Sequence, residues 1–78
     1  MANMHLKHTL LEVVENQLRE NDPPITKATF DRLTEAGYSK SQAKEKIAAV
    51  LVGEIYDVMK QKEPFDEARF SQELNKLN

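Results

Sequence analysis

The chain reads as an all-α protein, a compact four-helix bundle with helices over about 3–20, 23–36, 40–61 and 67–77. Three observations predict this. Apolar residues recur at i, i+3, i+4 and i+7, the spacing of one helix face, and nowhere alternate as a half-buried strand would. The three prolines and Gly37 fall between these periodic stretches and divide the chain into helix-length pieces. At 78 residues there is room for one domain, and chains of this size bury only roughly 60–65% of their unfolded surface.

The first helix starts near Asn3, a good N-cap, and runs to about Glu20. Leu11, Val14 and Leu18 share a face, with Leu10 beside them and Leu6 and Val13 at its edge. The polar run Glu15-Asn16-Gln17 straddles that face: Glu15 and Gln17 lie on its two borders and Asn16 points to water. Pro23 and Pro24 then end the helix. Proline lacks the amide that a helix interior needs, and the residue before a proline is pushed out of helical geometry. Both prolines fit the first turn of a second helix, with Asp22 as its cap.

The second helix presents Ile25, Ala28 or Thr29, Leu33 and Ala36, with Phe30 alongside. Gly37 suits the left-handed position just past a helix, and Tyr38 follows where it contacts Leu33, the pattern of a Schellman stop. Ser39 and Gln42 form a capping box, so a very tight corner leads into the third helix. From Ile47 to Met59 the third helix is apolar almost all round, as a helix is when it is central to its fold or shared with a partner. Gly53 in its middle costs roughly 1 kcal/mol against alanine, which suggests a backbone approaching closely there. Pro64 closes this segment. Asp66 opens a short fourth helix, with Phe65 and Phe70 as a hydrophobic staple and Phe70, Leu74 and Leu77 as its stripe.

Composition narrows the function classes. Eleven basic residues against 13 acidic ones leave a net charge of −2 and no basic stripe for phosphates, so no nucleic acid is expected as a partner. No membrane partner is expected either, because no apolar run reaches transmembrane length. There is no cysteine, hence no disulfide or thiolate site. The opening residues lack the pattern of a signal peptide, and the expected location is cytoplasmic.

Few residues point to chemistry. His5, His8 and Glu12 project from one side of the first helix and could share a divalent ion such as zinc, although closed sites want four ligands. Glu15 and Glu54 are candidate buried polar groups. Glu54 falls in the middle of the third helix's inward face, between Ile47 and Val58. A carboxylate there must find a partner or change its pKa. It could serve as a general acid or base, or fix helix register by pairing with Arg19, Arg32 or Tyr56; the structural role is favoured. Lys40, Lys44 and Lys46 are spread around the start of the third helix with Glu45 among them, a mixed-charge face rather than a phosphate grip. No nucleophile stands beside a base and no glycine-rich phosphate loop is present, so no catalytic residue and no cofactor is expected.

The order of VENQ, the Pro-Pro corner, GYS, EIY and PFDEARF, from Val13 to Leu77, resembles a family of small bacterial all-helical proteins of unknown function. The resemblance implies an all-helical fold and no established activity. It implies that relatives carry histidine pairs where this chain has Lys7 and Leu11, and Ser41 and Glu45, which would remove that ligand set here. It also implies that Glu15 and Glu54 are shared features.

The expectation is therefore a non-enzymatic module that works by protein contact, either with itself as a homodimer or with a larger partner. The candidate interface is Val52, Ile55, Tyr56 and Met59 on the third helix. The rival expectation is a helical bundle that binds a metal or small ligand through Glu and His side chains.

Overall fold

The computed structural model describes residues 3–77, with side chains from Lys7 onward. Four helices follow in order: α1 (Asn3–Glu20), α2 (Pro24–Glu35), α3 (Lys40–Gln61) and α4 (Glu67–Asn75). No strand occurs among the described residues. The fold is an all-α four-helix bundle with a radius of gyration of 12.2 Å. The long α3 touches each of the other three helices; α2 also touches α1 and α4, whereas α1 and α4 do not meet. Thus α2 and α3 form the middle, with α1 and α4 on opposite flanks.

The corners follow from local chemistry. At the end of α1, Asn21 takes a positive φ of 53°. The Asn21 amide donates to the Leu18 carbonyl and the Asp22 amide to that of Gln17, which is a Schellman stop with asparagine in glycine's usual place. The N-cap of α2 is Pro23, in extended geometry with no side-chain cap bond, and Pro24 is its first helical residue. Asp22 is therefore not the cap. Pro23 precedes a proline, so the same steric rule that ends α1 keeps Pro23 itself out of the helix.

Gly37, with φ at 110°, closes α2. The Tyr38 amide donates to the Leu33 carbonyl and that of Gly37 to Thr34, as the Schellman pattern requires. Ser39 Oγ then accepts from the Gln42 amide at 3.0 Å while Gln42 Oε1 accepts from the Ser39 amide at 2.9 Å. At α4, Asp66 accepts from the Arg69 amide at 3.1 Å. The Phe65 and Phe70 rings meet at 5.5 Å between centroids, closing the staple. α4 ends at Asn75, two residues short of the expected Leu77.

The core is Leu10, Val14, Leu33, Ala43, Ile47, Ala48, Leu51, Phe70 and Leu74. On α2 the buried face is Thr26, Thr29 and Leu33, while Ile25 and Phe30 are half-buried and Ala28 and Ala36 exposed. The inward face is thus turned by about one residue from the expected one. Thr26 is accommodated because its hydroxyl donates to Gln17 Oε1 at 2.8 Å, which satisfies a buried polar group. Arg32 reaches across to α4, donating to the carbonyls of Leu74 at 2.9 Å and Leu77 at 2.5 Å. Leu74 is in the last turn of α4 and Leu77 lies just past its end, and a guanidinium fork suits two carbonyls at once.

Candidate functional site

A solvent-facing helix surface is normally polar. The outer surface of α3 is not. Between Ala48 and Met59 its exposed residues are Ala49, Val52, Gly53, Ile55, Tyr56 and Met59. Tyr56 is 63% exposed and Met59 73%, against 37% for Val52 and 39% for Ile55. The two charged residues of this stretch lie elsewhere, Glu54 buried and Asp57 half-buried. Three turns of α3 therefore present a surface without charge. Val52, Ile55, Tyr56 and Met59 stand at i, i+3, i+4 and i+7, one continuous stripe. They are bare because α1 and α4 flank the bundle on other sectors of α3.

A groove of about 470 Å³ continues this surface toward α1, floored by Leu10, Leu11, Ala48, Ala49 and Val52. At its rim Lys7 Nζ pairs with Glu45 at 3.1 Å. Lys60 Nζ lies 5.9 Å from the Tyr56 ring centroid at the far end of the stripe. Gly53 is not a point of close approach within the chain: a Cβ there would meet nothing within 4 Å. Its small size opens the surface outward instead.

Glu54 is 3% exposed and faces α4. Its partner is Arg69, whose Nε donates to Oε1 at 3.1 Å and Oε2 at 3.0 Å. None of Arg19, Arg32 or Tyr56 fills this role: Arg19 binds Asn16 on its own helix, Arg32 caps α4 and Tyr56 points to solvent. Sequence reasoning missed Arg69 because the link depends on how α4 folds back over α3. The hydrogen bond to Glu54 raises the Arg69 pKa above its ordinary value, against a smaller opposing effect of desolvation; Glu54, Asp57 and Asp66 add charge attraction. A hollow of about 590 Å³ beside the pair is lined by both signs of charge, including Lys46, Asp57 and Glu73. Glu54 is held in a tight ion pair that ties the middle of α3 to α4.

Glu15 is exposed, with its carboxylate 3.8 Å from Lys44 Nζ, and so is not a buried polar group. Its border position opens to water at the edge of the α1–α3 contact. Lys46 lies 4.8 Å from the Tyr38 ring centroid, so Lys44 and Lys46 have separate partners and do not converge. His8 Nε2 and Glu12 Oε2 are 4.0 Å apart and largely exposed. The His5 side chain lies outside the described residues, among which no group of three metal-ligating side chains occurs. No helix is long and apolar enough to cross a membrane among them either. The chain matches no known family model, no curated protein and no solved structure.

Proposed function

We propose that this protein is a non-enzymatic interaction module that docks another protein surface on the outer face of α3. The observation that carries this reading is the charge-free stripe of Val52, Ile55, Tyr56 and Met59, exposed together over more than two helical turns. Single exposed apolar residues are ordinary, but a contiguous patch on a small domain marks a contact site. Tyrosine and methionine are also residue types enriched where proteins meet. The small core supports the same reading, since association adds burial that a chain of this size lacks.

Photo-crosslinking tests it. A benzophenone amino acid is placed at Tyr56, at Met59 or, as a control, at Lys27 on α2, and the chain is irradiated in its native cells. Discrete adducts from Tyr56 and Met59 but not from Lys27 are expected. An α3 face that yields no more adduct than Lys27 overturns the reading.

A further inference from the structure

We draw no further inference here: the strongest candidate, the bare apolar stripe of Val52, Ile55, Tyr56 and Met59 on the outer face of α3 with the groove that continues it toward α1, belongs to the interaction surface already described, and nothing in the structure shows what covers it.

Discussion

Arg69 Nε donates to both carboxylate oxygens of Glu54, at 3.1 and 3.0 Å, and so clamps the first turn of α4 to the middle of α3. Glu54 is nearly enclosed, and Arg69 is the cation that pairs with its carboxylate. Arg69→Leu is expected to lower the thermal midpoint markedly by leaving the carboxylate buried and unpaired. The double variant Arg69→Leu/Glu54→Leu recovers most of the loss, because a buried pair is often replaceable by apolar packing. Thermal melts of the three chains decide it; a double variant no better than Arg69→Leu contradicts the account. The pH dependence has a definite sign. Folding raises the Arg69 pKa, so the clamp's contribution from this group is complete below the ordinary arginine value and fades only as pH rises through the higher folded one. Mild alkali therefore leaves the Arg69 charge, and its grip on α4, in place.

Phe70 is fully buried while Phe65, its ring neighbour, is 45% exposed. Phe70→Ala removes a central core side chain at a cost of about 3–5 kcal/mol, a large fraction of the roughly 4–12 kcal/mol that a domain of this size commands. Phe65→Ala loosens only the staple and costs about 1 kcal/mol or less. Urea titrations are expected to show Phe70→Ala largely unfolded in dilute denaturant and Phe65→Ala with a slightly earlier midpoint. Equal effects would mean that the staple, not the core contact, holds α4.

The legibility of the fold followed the range of the interaction. Capping and stop signals act over three to six residues, and the Ser39–Gln42 box, the Gly37 stop and the Asp66 cap stand where local chemistry places them. The all-α class needed only periodicity. What could not be read was set by rotation and by distance along the chain. The face of α2 turned to bury Thr26 because Gln17, nine residues away, supplies an acceptor. Arg32 reached α4 across more than 40 residues. Glu54 was identifiable as inward-facing, yet its partner Arg69 depended on the path of the Pro64 turn. The exposed stripe of α3 sits between these cases: its excess of apolar residues was visible, while the sector left bare depended on where α1 and α4 lie.

Gln17→Leu tests the one inter-helix hydrogen bond of Thr26. The Thr26 hydroxyl is fully buried and donates to Gln17 Oε1 at 2.8 Å. Removing the acceptor strands the hydroxyl at a cost of about 1–3 kcal/mol. The companion change Thr26→Val removes the stranded group, so Gln17→Leu/Thr26→Val is expected to be more stable than Gln17→Leu alone. Chemical denaturation of the two variants provides the comparison, and a double variant that is weaker still would refute it.

Arg32 is expected to govern the end of α4. Arg32→Met keeps most of the aliphatic stem but releases the carbonyls of Leu74 and Leu77. The loss is about 1 kcal/mol, reduced from the usual value for charge-assisted bonds because the site is open to solvent. Hydrogen exchange gives a sharper reading than a melt: amides of the last turn of α4 should exchange faster while those of α1 do not change. Uniform acceleration across all four helices would show a global effect instead.

The two glycines predict opposite signs. Gly37 holds a φ of 110° at the corner between α2 and α3, where an L side chain is strained by about 1–3 kcal/mol even though a Cβ would have space. Gly53 is helical, and a Cβ there also meets nothing within 4 Å, so alanine adds helix propensity worth up to about 1 kcal/mol without a clash. Gly37→Ala should therefore lower the melting temperature and Gly53→Ala raise it by a few degrees when both are measured at dilution, where association contributes little. The comparison separates conformation from crowding, since neither site lacks room within the chain. If Gly53→Ala is destabilising at dilution, the middle of α3 is packed against something within its own subunit, and the outer face described here is not bare.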